Sequence, residues 1–593
     1  MRSFNPSINL FWDKTNATNF SFDKNQKSLF LSKSKNLPFE KIKSKNWQVF
    51  IFGDLCIERN ISIRKFFDNY YENSNTNCDL EILDGQFLIF FLDKKRNEIS
   101  IINDRFASIP CYWYNSNSRF ISSLCFGDIV RKLKFASKFD ENIFFELIYL
   151  QKIQYDHTLS PKIKFLLPSS CLKISKNRCE IFCYWRQNFK KEEYANFNEA
   201  GEKFTRLLQK SISKKTKNKK VGIFLSGGHD SRTILGFLNK INTKSFTVSF
   251  SDNYEVSIAR QLSNLKKIEH NFIKLDDEHF TSNIEIMGEL CSAQYSLINS
   301  LFVNLKSDSL IDRDILVHGY GLDFLFHGMY LPTKVRQFFG SPTFFKRLIN
   351  LSNTDLVNFY LKNINFRLSS ISLLDFVKNK QKKRLWDHLV ESTNKVYNCN
   401  RKIVYSEYDN WDYFVTHAMS RHYSYPNVLS LMSLKNQATV VFSNEVFDFF
   451  LSLPVQYRIY GDLLIYALKK KCKRMLWIPT ANYGIPPLFS PKMKTLWLVC
   501  RKILRHVTGY QKFRAPHSED RTWPDYDSYI MKSSLNKLIK KLPKSEILRE
   551  NLKFLDWKKI EFLIDETISG NKSGGKFLFT LLSINNFLND LES

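Results

Sequence analysis

The segment Ser226-Gly227-Gly228-His229-Asp230-Ser231 gathers residue types that can grip a phosphorylated ligand. Adjacent glycines let the chain turn sharply and bring backbone N–H groups against an anion. Ser226 and Ser231 add hydroxyl donors. Asp230 does not suit a bare anion, since a carboxylate repels phosphate; it suits one when a magnesium ion lies between them. The apolar run Val221-Gly222-Ile223-Phe224-Leu225 just before it reads as a buried parallel strand. A helix is expected over residues 231–239, with its positive N-terminal end toward the same anion. A plain Gly-Gly turn capping a helix is the simpler explanation. Yet five such fixed residues arise by chance in a chain this long only about one time in a thousand. The lysine and longer spacing of a Walker loop are absent. His229 fills a position where any side chain is tolerated.

The elements around this loop set the expected architecture. Residues 245–250 read as a second buried strand and 255–265 as a second helix, so strand–loop–helix alternation implies a doubly wound α/β parallel sheet. Upstream, 47–52, 87–92, 99–102 and 111–114 read as short strands, with Asp84-Gly85 and Asn115-Ser116-Asn117 as turns. This predicts an α+β domain of packed antiparallel sheets over residues 1–190. A basic helical linker at about 196–220 opens the α/β core, 191–340, and a helical remainder occupies 341–593. There Leu535, Leu538, Ile539 and Leu542 make the stripe of a core-facing helix.

Composition narrows the functional classes. The 593-residue chain has 43% hydrophobic and 25% charged residues, ordinary globular values. Its longest apolar runs fall short of the ~20 residues that cross a bilayer. The brief apolar stretch after Met1 is broken by Asp13 and Lys14, unlike a secretory signal. A cytoplasmic location without a membrane span is the expectation. Net charge is +30, with lysine clusters at 214–220, 378–384 and 469–474. Lysine spread over exposed faces accounts for this charge more simply than a nucleic-acid partner does, and no nucleic acid is expected. Eleven cysteines show no disulfide framework or zinc spacing.

The Ser226–Ser231 run resembles the ATP pyrophosphatase loop, abbreviated SGGxDS, and the wider chain resembles the asparagine synthetase family. Phe246-Thr247-Val248 is similar to that family's second strand, and Glu255, Ala259 and His270 to the helix and strand entry beyond it. His318-Gly319-Tyr320-Gly321-Leu322-Asp323-Phe324 stands where the family has a second glycine-rich signature, with Phe326-His327-Gly328-Met329-Tyr330 directly after it. Upstream, Leu83-Asp84-Gly85-Gln86-Phe87, Asn103-Asp104-Arg105-Phe106 and Pro110-Cys111-Tyr112-Trp113 resemble the glutamine amidotransferase domain, an Ntn-type antiparallel fold. The resemblance implies ATP and Mg2+ as cofactors. Leu225, Ser226, Gly227, Gly228, Asp230, Ser231, Val248 and Gly319 would hold the nucleotide, Asp230 and Asp323 the metal. A small-molecule carboxylate would be activated as an acyl-adenylate, with release of AMP and pyrophosphate, then attacked by ammonia or an amine. A homodimer is compatible with it.

Departures from the family pattern shape the reading. Met1-Arg2-Ser3 offers no leading cysteine, which implies a domain that does not hydrolyse glutamine, as in the related β-lactam synthetase. Tyr320 and Phe324 replace acids of the second signature, and Tyr320 becomes the candidate catalytic residue, orienting or deprotonating an amine. The family's arginine–x–proline–phenylalanine segment reads Thr439-Val440-Val441-Phe442, and its following aspartate is Asn444. The family's phosphate-neutralising lysine is missing near Ile485 and Pro486, leaving Lys492 or Lys494 as substitutes. Two other readings stay open: a basic RNA-modifying ATP pyrophosphatase, and an inactive nucleotide-binding scaffold.

Overall fold

The computed structural model describes residues 9–13, 29–31, 37–58, 61–73, 77–133, 139–190, 196–338, 341–400, 406–508 and 525–592, with Tyr194 and Val404. Met1, Arg2 and Ser3 lie outside the described residues.

The N-terminal part is two stacked antiparallel sheets. One runs in the order Leu29–Leu31, Asn9–Asp13, Arg119–Ser123, Tyr112–Asn115, Lys164–Phe165. The other runs Cys179–Cys183, Ser170–Ile174, Glu98–Asn103, Leu83–Asp93, Trp47–Ile57, Phe39–Lys43. The strand Leu83–Asp93 shows why its sequence is apolar without alternation: it is buried along its whole length. Leu88, Phe90 and Leu92 face the core between the sheets. Phe87, Ile89 and Phe91 face Phe66 and Phe67 of the helix Ile63–Glu72 on the outer side.

Asp84-Gly85 is not the turn that the sequence suggests. Both residues lie inside this strand, and Gly85 pairs with Leu55. Gly85 has φ +121° and a Cβ there would sit 2.1 Å from Asp54 O, so close strand approach, not chain reversal, demands the glycine. Asn115-Ser116-Asn117 does reverse the chain, closed by Ser116 N–H donating to Arg119 O at 2.9 Å.

The sheet of the second part is wholly parallel. Its order is His270–Lys274, Thr243–Ser249, Val221–Phe224, Ile315–Val317, Gln437–Ala438. Numbered along the chain within the sheet this is 3-2-1-4-5, a doubly wound arrangement. The switch point falls between Val221–Phe224 and Ile315–Val317, whose carboxyl ends open side by side. The sheet takes its fifth strand from beyond residue 340, inside a region that is otherwise mainly helical apart from the hairpin Thr333–Phe338 with Ser341–Leu348. Leu535, Ile539 and Leu542 are buried as the stripe requires, and Leu538 half-buried.

The helix Phe197–Thr216 joins the two parts, and its lysines are not mere surface decoration. Lys214 Nζ lies 2.6 Å from Asp84, Lys210 2.5 Å from Glu445, and Lys215 donates to Phe442 O at 3.3 Å. Asn444 belongs to the same seam: its N–H donates to Asp84 at 2.9 Å and its amide to Leu83 O at 3.0 Å. Arg105 completes the junction with Asp448 at 3.0 Å. Several of the chain's positive charges thus hold the parts together. Among the described residues, no helix is long and apolar enough to cross a membrane.

Candidate nucleotide and acceptor site

The loop after Val221–Phe224 is braced from within. Ser226 N–H donates to Ser231 Oγ at 3.0 Å, the two hydroxyls stand 3.0 Å apart, and Gly228 N–H donates to Ser226 Oγ at 3.2 Å. Gly227 N–H is taken by the Glu255 carboxylate at 2.9 Å. Neither Gly227 nor Gly228 has positive φ. Gly227 is required for a different reason: a Cβ there would meet Ala481 Cβ at 2.6 Å. At Gly228 a Cβ would meet only Ser226 Oγ, at 3.2 Å.

Arg232, one residue past the motif, is fully buried and fixes the loop to a distant segment. Its guanidinium donates to the carbonyls of Met475 at 3.0 Å, Pro479 at 2.7 Å, Ile478, and Gly227 at 3.3 Å. Burial lowers its pKa to about 10, still a cation at neutral pH. Sequence reasoning passed over it, although an arginine in the first turn of a buried helix was itself a signal.

The second loop begins at His318, at the end of Ile315–Val317. Burial lowers the pKa of His318 to about 4, so it is neutral, and its Nε2 meets Gln437 Oε1 on the fifth strand at 2.7 Å. Gly319 lets the two loops touch. A Cβ there would stand 2.7 Å from Asp230 Cβ and 3.1 Å from Ser231 N. Gly319→Ala is therefore expected to displace Asp230 by a few tenths of an ångström or more. It should lower turnover about 100-fold with a change in stability of about 1 kcal/mol, checked by steady-state kinetics beside chemical denaturation.

Asp230 and Asp323 line the same cavity, near enough for the Asp323 charge to act on Asp230. Burial, then the Asp323 charge, raises the Asp230 pKa well above the usual carboxylate range. Asp323 is pushed to about 6 by burial, against backbone hydrogen bonds that lower it. Asp230 Oδ1 is buried and accepts no hydrogen bond; His327 Nε2 stands 3.5 Å from it. Burial lowers the pKa of His327 to about 4, so it brings no charge. Two half-buried carboxylates lining one cavity suit a divalent ion. Among the described residues no group of three or more metal-ligating side chains exists. A pair is nonetheless what magnesium needs when phosphates and waters complete its shell. Of the two candidate lysines, Lys494 is half-buried with its Nζ 5.9 Å from the Phe344 ring centroid, and its charge adds to the burial that lowers the pKa of His229 and His327. Lys492 is exposed.

One cavity of about 580 Å³ connects these groups. Leu225, Val248, Phe246 and Phe302 form an apolar end. Ser226, Asp230, Ser231, Gly319 and Asp323 line its middle, and Tyr320 the passage beyond. Gly227 and Gly228 stand behind this lining. Tyr320 is not placed as a base. Its hydroxyl donates to Met419 O at 2.8 Å, and burial raises its pKa well above 10. Its ring packs on Phe324, Tyr425 and Phe442, and its carbonyl accepts from Thr439 Oγ1 at 2.7 Å. The substituted Thr439 and the retained Phe442 thus support the substituted Tyr320.

Two stacked antiparallel sheets followed by a doubly wound sheet, with an SGGxDS loop at its switch point, define a protein with an amidotransferase-like domain and a nucleotide-loop domain. Residues 69–185 match the glutamine amidotransferase domain family and residues 203–439 match asparagine synthase. Matched in this order, the two regions support a likeness to the asparagine synthetase family. A Methanocaldococcus jannaschii protein named "Putative asparagine synthetase (glutamine-hydrolyzing) 1" is 31% identical over 162 residues, 26% of this chain and 27% of that one. The alignment thus spans about a quarter of the relative's length.

Among solved structures, the allosteric regulatory enzyme of purine biosynthesis is similar over 39% of this chain and 62% of its own, at 8% identity and TM-score 0.17. Glutamine phosphoribosylpyrophosphate amidotransferase from B. subtilis, complexed with ADP and GMP, is similar over 40% and 48%, at 8% identity and TM-score 0.16. Scores this low carry no argument about function.

Proposed function

We propose that the protein is an ATP-dependent carbon–nitrogen ligase. It activates a small carboxylic acid as an acyl-adenylate, releases pyrophosphate, and passes the acyl group to ammonia or an amine. The observation that carries this reading is the convergence of Asp230 and Asp323, one with an unsatisfied buried oxygen, behind two neighbouring parallel strands. Magnesium, when bound, supplies positive charge to the pyrophosphate leaving group.

The chain's own groups do the rest. Leu225 and Val248 receive the base against apolar surface, while the Ser226–Ser231 loop and the first turn of Asp230–Phe237 orient the phosphates. Gly227, held by Glu255 and Ala481, keeps that loop rigid, and Lys494 sets a second cation at the phosphate end. Tyr320 positions the acceptor beside Asp323 through its fixed ring.

The test is pyrophosphate release from Mg-ATP across a panel of carboxylic acids with ammonium, with mass-spectrometric detection of the acyl-adenylate. Bound ATP with silence across the panel would instead identify a nucleotide-binding scaffold. Lys494→Met is expected to lower kcat about 100-fold while leaving the melting temperature within about 2 °C. Unchanged kinetics in that variant would remove Lys494 from the site.

A further inference from the structure

Beyond Asp323 the cavity runs into a chamber walled by Phe324, Tyr330, Tyr423, Ser424, Tyr526 and Lys576. Phe324 and Tyr330 pack on the neutral His422 ring, with centroids 5.0 Å and 5.2 Å away. Tyr330 and Tyr423 line the same cavity as Asp323 and Asp230.

Lys576, near the start of the helix Gly575–Glu592, is the one lysine or arginine in the cavity lining among the described residues. Its Nζ lies 5.3 Å from the Tyr423 ring centroid and donates to Phe366 O at 2.7 Å. An ammonium has three N–H donors, so two remain for a ligand. Among the described residues no carboxylate forms an ion pair with this cation. Burial and the Arg367 charge lower its pKa to about 8, and no carboxylate opposes them. Asp527, which caps the same helix, is committed to Gly574 N–H at 3.1 Å, Gly575 N–H at 2.6 Å and the Ser573 hydroxyl at 2.6 Å. A buried charge without a counter-ion is costly, and a ligand that brings the opposite charge removes that cost.

We propose that the acceptor carries a second anionic group, besides the carboxyl that is activated, and that Lys576 receives it while Phe324, Tyr330 and Tyr423 hold a ring-sized apolar body between the two. The inference rests on the ligase reading and names its substrate class. It also sets this chamber apart from one shaped for an α-amino acid, because an ammonium beside Lys576 and Arg367 would be repelled.

The test uses the full chain with Mg2+ and α,β-methylene-ATP, which cannot release pyrophosphate. Calorimetry then compares benzene-1,3-dicarboxylate with benzoate, two ligands of one ring that differ by a single carboxylate. The diacid is expected to bind about 10–100-fold more tightly, the worth of a charge-assisted hydrogen bond in a buried site. Lys576→Met should erase that preference and Lys576→Arg should retain most of it, with analogue binding followed in every variant as the control for folding. Equal affinity for the two acids, or equal failure to bind, while the analogue binds, overturns the inference and leaves the nucleotide reading standing. A preference that survives in Lys576→Met overturns it as well. Failure of the wild-type chain to bind the analogue overturns both.

Discussion

Asp230→Asn is expected to lower pyrophosphate release about 1,000-fold and, without magnesium, to flatten the loss of stability at alkaline pH. Activity falls because one of two carboxylates that would hold the metal becomes a neutral amide, which neither neutralises the ion nor fixes its position. The stability effect has the opposite sign for a separate reason. Both carboxyl groups have folded-state pKa values raised above the usual 3.8, Asp323 to about 6 and Asp230 further. The folded chain therefore binds protons more tightly than the unfolded chain does. The pair's contribution is fully present below about 4 and is lost as pH rises through 6 and beyond. Removing Asp230 removes the higher of the two titrations. Melting curves from pH 4 to 8 should converge at the acid end and separate by about 1–3 kcal/mol in the variant's favour at pH 8. Magnesium-ATP should reverse the order by stabilising only the wild type. Coincident curves at all pH values would mean that the two carboxylates are ordinary solvated groups.

Arg232→Met should be the most destabilising single change near the site, at about 3–5 kcal/mol. Methionine fills the path of the aliphatic stem but returns none of the hydrogen bonds to the buried Met475 carbonyl and the part-buried Ile478 and Pro479 carbonyls. Arg232→Lys should recover little, since an ammonium cannot reproduce the planar fork that reaches several carbonyls at once. The same bonds position residues 475–481, and Ala481 N–H donates to Gly227 O at 3.1 Å, so loosening them also loosens the phosphate loop. Denaturant midpoints and limited proteolysis around residues 475–490 measure the first effect. Pyrophosphate release measures the second. A variant with wild-type midpoint and turnover would show that the Gly227–Ala481 contact holds without the guanidinium.

Much of the framework was legible along the chain. The strand at 221–225, the helix behind it and the strand at 243–249 obey the local apolar pattern, and the structure reproduces them within a residue or two at most ends. Asp323 could be paired with Asp230 because the second glycine-rich segment resembled a known signature. Asp84-Gly85 misled, since a sequence cannot distinguish a glycine that reverses the chain from one that admits a neighbouring strand. Tyr320 misled in part: its position suggested chemistry, while its hydroxyl is committed to Met419 O. The lysine cluster at 214–220 gave no hint that Lys214 would meet Asp84, a partner 130 residues away.

By itself the sequence determined the Ser226–Ser231 loop, the parallel strands that carry it and the antiparallel domain before them, because each depends on residues within about ten positions of one another. Only the tertiary structure decided which charges are buried, which glycine answers to Ala481 and that Lys576 lines the cavity. Those are consequences of packing between distant segments. A residue's desolvation and its electrostatic neighbours exist only once the chain has folded around it.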